Sequence, residues 1–96
     1  MEKDKPLISI IVATYNRAKT ISRAIDSILA QTYDNFEIII VDDGSADDTL
    51  KILSKYNDAK IKIIKHEINK GVCAAKNTGF NHISGEWFTL LDSVDA

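Results

Sequence analysis

The chain has 96 residues, 45% of them hydrophobic and 27% charged, with a formal net charge of −2. That length suits one small domain spanning residues 1–96 and burying about 60–65% of its unfolded surface, and the composition excludes a disordered or fibrous chain. Lysines and acids are interspersed with no basic stripe, which excludes general electrostatic binding to nucleic acid.

Residues 7–13, Leu-Ile-Ser-Ile-Ile-Val-Ala, form an apolar, β-branched run preceded by Pro6, a residue suited to a strand's start. The run ends in Thr14, Tyr15, Asn16 and Arg17, a polar group at a strand exit. From about Ala18 the period changes: Ile21, Ala24, Ile25, Ile28 and Leu29 fall on one stripe of an amphipathic helix. A turn at residues 33–35 leads into Phe36, Ile38, Ile39, Ile40 and Val41, a strand apolar on both faces and therefore central in a parallel sheet.

Asp42, Asp43 and Gly44 follow that strand. Ser45 and Asp48 stand in capping-box spacing, and a helix is predicted over residues 47–56, closed at 57–58. Ile61, Ile63 and Ile64, set between lysines, predict a short edge strand. After the polar connection 66–71, Val72, Ala75, Lys76, Gly79 and Ile83 share a helical face poor in bulk, which predicts close approach of that helix to the sheet or to a ligand. Gly85 is placed as its left-handed C-cap. Residues 87–91 give a fourth strand running into Asp92 and Asp95.

The order β-α-β-α-β-α-β predicts an α/β, Rossmann-like, mainly parallel sheet with helices on both faces and strand order 3-2-1-4. Ligands of such sheets bind outside the carboxyl ends of the strands, at the switch point. Thr14-Tyr15, Asp42-Asp43, Asn69-Gly71 and Asp92-Asp95 all gather at that edge. Each group has a plainer reading. Asp-Gly is a common turn dipeptide, Tyr15 could be a core aromatic, residues 69–71 a hinge, and Lys76 a solvated lysine. As ligand groups, one aspartate would accept a hydrogen bond from a base or ribose while backbone N–H groups hold the other. Tyr15 would stack on a flat ring beside Thr14 or Asn16, and the N–H groups of 69–71 would face phosphate. Asp92 and Asp95, as hard oxygen ligands, suit magnesium or manganese near a diphosphate. No Gly-x-Gly-x-x-Gly, P-loop, zinc spacing at His66 or His82, or Ser/His/Asp elbow occurs.

Taken together, residues 10–16 (Ile-Ile-Val-Ala-Thr-Tyr-Asn), 27–32 (Ser-Ile-Leu-Ala-Gln-Thr) and 36–45 (Phe-Glu-Ile-Ile-Ile-Val-Asp-Asp-Gly-Ser), with Asp47 and Thr49, form one ordered set. Asn69-Lys70-Gly71, residues 75–79 (Ala-Lys-Asn-Thr-Gly) and Gly85-Glu86-Trp87 continue it. In this set the chain resembles the N-terminal, donor-binding half of family-2 glycosyltransferases of the GT-A fold. The resemblance implies transfer, with inversion, from a nucleotide-diphosphate sugar, most often UDP-linked, to a saccharide or lipid-linked acceptor. It implies that Tyr15 packs on the nucleobase, Asp43 hydrogen-bonds it, and Asp42 supports the turn. The Gly71 loop and following helix would border ribose and diphosphate, with Lys76 where many members carry arginine, and Asp92 holding the ribose.

Two departures stand out. The family's metal ligand falls at position 94, here Val94, so Mn2+ or Mg2+ is expected to bind weakly or not at all through Asp92 and Asp95. No residue matches the family's catalytic base, which lies further along, so nucleotide recognition without turnover is expected. A non-catalytic nucleotide-binding module remains the alternative, and a receiver-like domain a third, although that fold wants five strands and a strand-end lysine. Cys73, the single cysteine, excludes an internal disulfide framework and fits a reducing compartment. Residues 1–6 lack a signal peptide's apolar segment and no run approaches the roughly 18–20 residues that span a bilayer. A cytoplasmic location is expected, at the inner face of the membrane for a longer parent protein.

Overall fold

The computed structural model describes residues 6–30, 34–56 and 58–92, with Asp92 described for its backbone only. The elements are β1 (Ile8–Thr14), α1 (Ile21–Leu29), β2 (Phe36–Asp42), α2 (Thr49–Leu53), β3 (Ile61–Lys65), α3 (Val72–Phe80) and β4 (Trp87–Asp92). Their strands form one four-stranded sheet in the order β3-β2-β1-β4, every pair parallel. This is the predicted order, and each residue of β2 is buried, as a strand covered on both faces requires.

The two faces follow from strand alternation. Val12, Ile38 and Ile40 point to one side and pack with Ile21, Ile25, Ile28 of α1 and Leu53 of α2. Ile39 and Val41 point to the other and pack with Ala75 of α3, with Ala13, Ile64 and Ile83 around them. On the α3 side bulk is scarce because the helix lies close to the sheet. A Cβ on Gly79 would stand 2.5 Å from Ile11 Cγ2. Val72, assigned to the same inward face by periodicity, is instead exposed at the helix start.

Three expectations are corrected. The second helix covers five residues rather than 47–56, and no side chain caps it. Ser45 serves elsewhere: its backbone N–H donates to Asp42 Oδ2 at 2.9 Å, and its hydroxyl donates to Asp42 Oδ1. Asp47 takes the local role, accepting from the Thr49 N–H at 3.0 Å and from the Thr49 hydroxyl. Gly85 is not left-handed, since among the described residues the positive-φ glycines are Gly44 and Gly71. It is small because a Cβ there would lie 2.5 Å from the Leu7 carbonyl oxygen and 2.7 Å from Ser9 Oγ. The α3 helix ends at Phe80 with Asn81 as its cap, well before Gly85. The residue 57 stop signal, the Gln31-Thr32 end of the second motif and the first residue of the 33–35 turn lie outside the described residues.

A buried carboxylate braces the end of the sheet opposite the strand exits. Glu37 Oε2 accepts from the Ser9 hydroxyl at 2.6 Å and from the Ser84 N–H at 2.7 Å, while Lys62 Nζ sits 3.1 Å from Oε1. The Gly85 N–H donates to Ser9 Oγ at 2.9 Å, closing the network.

Gly85→Ala is expected to destabilise the fold by about 1–3 kcal/mol, because a backbone carbonyl cannot yield. Gly79→Ala should cost less, since moving the Ile11 side chain aside is a smaller change than moving backbone, and alanine gains about 1 kcal/mol of helix propensity. Urea unfolding of both variants checks this, and equal losses would refute the assignment of Gly85 to backbone contact.

Candidate functional site

The carboxyl ends of β1 and β2 and the loop after β3 enclose a cleft of about 310 Å³ lined by Ala13, Thr14, Tyr15, Arg17, Asp43, Asn69, Gly71, Val72 and Ala75. Five of the residues singled out in the sequence meet here: Thr14, Tyr15, Asp43, Asn69 and Gly71. Arg17, Val72 and Ala75 were not foreseen as lining groups. Arg17 brings a cation, and its Nη1 donates to the carbonyls of Tyr15 and Asn16, each at 3.2 Å.

Tyr15 is 42% exposed, so it is not a core aromatic. Its loop is held by its neighbour. Asn16 adopts φ 52, a left-handed conformation that asparagine tolerates better than most residues. Its Oδ1 accepts from the Ala46 N–H at 2.8 Å and its own N–H donates to Ser45 Oγ at 2.8 Å. The Arg17 N–H donates to Thr49 Oγ1 at 2.9 Å and the Ala18 N–H to Asp47 Oδ2 at 3.2 Å. The loop after β1 is thereby laced to the loop after β2. Asn16 and Asp42 are structural neighbours of the cleft rather than part of its lining, and so is Lys76.

The two aspartates have separate environments. Asp42 is fully buried and spends its carboxylate on Ser45. Asp43 is 3% exposed and accepts three hydrogen bonds at 2.8 Å: His66 Nδ1 and the Lys70 N–H on Oδ1, and the Gly71 N–H on Oδ2. Burial pushes the Asp43 carboxyl upward, but the bonds from His66, Lys70 and Gly71 outweigh it and hold the group below its ordinary 3.8. Gly44, at φ 76, permits the turn, and a Cβ there would stand 2.7 Å from the Asn69 nitrogen. The strand exit of β2 and the 66–71 loop are in backbone contact, so only glycine fits between them.

His66 is the group that sequence reasoning missed. It is 8% exposed and follows directly on β3, with its N–H donating to the Asp42 carbonyl at 2.8 Å. Its place right after a strand was the available signal, the same one that drew attention to Thr14 and Asp43.

Asp92 ends β4 with its backbone beside Ala13 of the cleft. Its side chain, Val94 and Asp95 lie outside the described residues. Among the described residues no cluster of three or more His, Cys, Asp or Glu could hold a metal ion, and no helix is long and apolar enough to cross a membrane.

The comparisons with known proteins bear on this arrangement. A model of glycosyl transferase family 2 matches residues 9–93. The chain belongs to that family. It is 41% identical over 92 residues to the Escherichia coli UDP-Glc:alpha-D-GlcNAc-diphosphoundecaprenol beta-1,3-glucosyltransferase WfgD, covering 96% of this chain and 36% of WfgD. It is 45% identical over 89 residues to the E. coli enzyme WfaP, described by the same reaction, covering 93% of this chain and 36% of WfaP. The family-2 chain thus spans about a third of the length of these relatives. Among solved structures, S. aureus TarS 1-349 in complex with UDP superposes with a TM-score of 0.84 at 36% identity, over 90% of this chain and 27% of TarS 1-349. The mannosyltransferase PcManGT from Pyrobaculum calidifontis, in complex with GDP-Man and Mn2+, superposes at 0.86 with 28% identity, over 93% of this chain and 28% of that protein. The parallel sheet in the order 3-2-1-4 with its helices is the GT-A fold of these neighbours.

A carboxylate held below its ordinary value in the fold contributes stability above that value and loses it as pH falls through the lowered one. For Glu37 burial again pushes upward, and bonds from Ser9, Ser84 and Lys62 bring the net shift below the ordinary 4.5. Stability is therefore expected to be flat above about pH 5 and to fall below about pH 4. Asp43→Asn should lower stability at neutral pH by about 1–3 kcal/mol, because it unpairs buried donors, and should flatten the acid fall. Urea titrations at stepped pH measure both effects; an unchanged acid slope would contradict the Asp43 assignment.

Proposed function

We propose that this chain is the donor-binding part of an inverting glycosyltransferase that uses a UDP-linked sugar. The observation that carries the reading is the cleft itself. An exposed aromatic, a buried ionised carboxylate and a glycine loop meet at the strand exits of a chain that superposes on a UDP complex of a family member. Tyr15 offers a stacking face to a base, and Asp43 an acceptor for its N–H groups. Gly71, at φ 99 with open space around its Cα, lets the chain run close to ribose and diphosphate at the start of α3. Arg17 and Lys76 supply positive charge nearby, and Asp92 is assigned to the ribose. Thr14, Asn16, Asp42 and Asn69 complete and hold that surface.

In the reaction, an acceptor hydroxyl attacks the anomeric carbon, the bond to the diphosphate oxygen breaks, and the hydroxyl proton passes to a base. We assign that base to no described residue. The leaving group is the nucleoside diphosphate, so its departure needs positive charge near the phosphates. A saccharide or lipid-linked acceptor, and action at the cytoplasmic face of a membrane, belong to the same proposal, supported by relatives named for diphosphoundecaprenol-linked acceptors.

The family's cation fits this donor set only in part. Asp92 and Asp95 provide hard oxygens, which suit Mn2+ or Mg2+, whereas Val94 provides no donor. When bound, such an ion would neutralise diphosphate charge. We read this chain as binding nucleotide with little help from it. Val94 is also the observation favouring the second reading, a nucleotide-binding module without transferase activity.

Titration with UDP, followed by backbone amide shifts, is expected to perturb Tyr15, Asp43 and Gly71. Perturbations confined to other surfaces would refute the donor site. Added Mn2+ should change the wild-type affinity by less than about threefold, and Val94→Asp should raise that dependence to about tenfold, equivalent to about 1.4 kcal/mol. If the variant and the wild type respond alike, the account of position 94 falls.

A further inference from the structure

The imidazole of His66 links the exit of β2 to α3 and adds polar contacts to the apolar packing of those two elements. Its Nδ1 lies 2.8 Å from Asp43 Oδ1 at the exit of β2, and its Nε2 lies 2.8 Å from Thr78 Oγ1 in α3. Asp43 is ionised and can only accept, so Nδ1 carries the hydrogen. In the neutral ring Nε2 then accepts from the Thr78 hydroxyl, which fixes one tautomer. The backbone of His66 is pinned independently, by its N–H to the Asp42 carbonyl. The ring is therefore oriented from three sides.

The carboxylate it meets is the hub of the cleft rim. Both lone pairs of Asp43 Oδ1 are used, by His66 and by the Lys70 N–H. Oδ2 takes the Gly71 N–H and has one lone pair left over among the described residues. Where that last lone pair points depends on the carboxylate's rotation. The two loop amides hold the carboxylate relative to their own loop and move with it. The His66 donor on Oδ1 is anchored outside residues 69–71, through its own N–H to the Asp42 carbonyl and through Thr78, and it ties the carboxylate to the sheet and to α3.

We propose that His66 is a positioning residue of the nucleotide site: its Nδ1–H fixes the rotation of the Asp43 carboxylate. In doing so it sets the 69–71 loop in place and leaves one Oδ2 lone pair to accept an N–H from the nucleobase. The last clause rests on the donor-binding reading above; the positioning of the loop does not.

Asparagine and glutamine at position 66 separate this role from simple packing. An asparagine amide places its nitrogen where Nδ1 stands and restores the donor to Asp43. A glutamine amide reaches the position of Nε2 and restores only the Thr78 contact. In the 96-residue chain, hydrogen exchange at the Lys70 and Gly71 amides and the dissociation constant of UDP are measured for wild type, H66A, H66N and H66Q. Exchange at both amides is expected to speed up roughly ten- to hundredfold in H66A and H66Q, and to stay within about threefold of wild type in H66N. UDP affinity should follow the same order, with melting temperatures of H66N and H66Q alike. Wild-type protection in H66A, or better protection in H66Q than in H66N, overturns the proposal. If H66A fails to fold, the H66N and H66Q pair decides. If the amides respond as stated while wild type takes up no UDP, the positioning role stands and the donor-binding reading falls.

Discussion

A nearly buried carboxylate needs donors, and Asp43 finds three of them across a gap between two strand exits. Desolvating an unpaired charge costs several kcal/mol, so the 66–71 loop cannot drift without exposing that cost. His66, Lys70 and Gly71 each contribute one N–H. The side of the cleft formed by the 66–71 loop and α3 takes its position from this junction. Gly44 is held against Asn69, α3 starts directly after Gly71, and α3 in turn lies so close to β1 that a Cβ at Gly79 would press on Ile11.

The same solution appears at the other end of β2. Glu37 is buried, ionised and bonded to a hydroxyl, a backbone N–H and a lysine. β2 is thus bracketed by two carboxylates on one face of the sheet. One ties the chain before β4 to the sheet's floor, and the other ties the chain before α3 to its rim. Both carboxylates are buried and bonded to backbone N–H groups, unlike an exposed ion pair, which is worth little.

Much of this was legible in the sequence where the cause is local. The apolar run of β2 and the stripe of α1 place the sheet and one layer, because burial on two faces or on one has a period. The errors arise where a local pattern has two causes. Ser45-x-x-Asp48 is a capping box by spacing, yet Ser45 turns back to Asp42 because the chain doubles over Gly44 there. A glycine after a helix reads as a C-cap, but Gly85 is selected by the Leu7 carbonyl, which no local rule sees. His66 was invisible for the same reason: its partners lie 23 and 12 residues away. Asp43 was found by position, but its heavy use by the protein itself was not readable from two adjacent acids.

The lacing of Asn16, Arg17 and Ala18 to residues 45–49 has a dynamic consequence. These bonds join points 29 to 32 residues apart, so the Tyr15 loop has little local structure to fall back on. It cannot melt alone without releasing the loop after β2, which is continuous with Asp43. Opening of the cleft is therefore a cooperative event of sub-global size rather than the flicker of one loop.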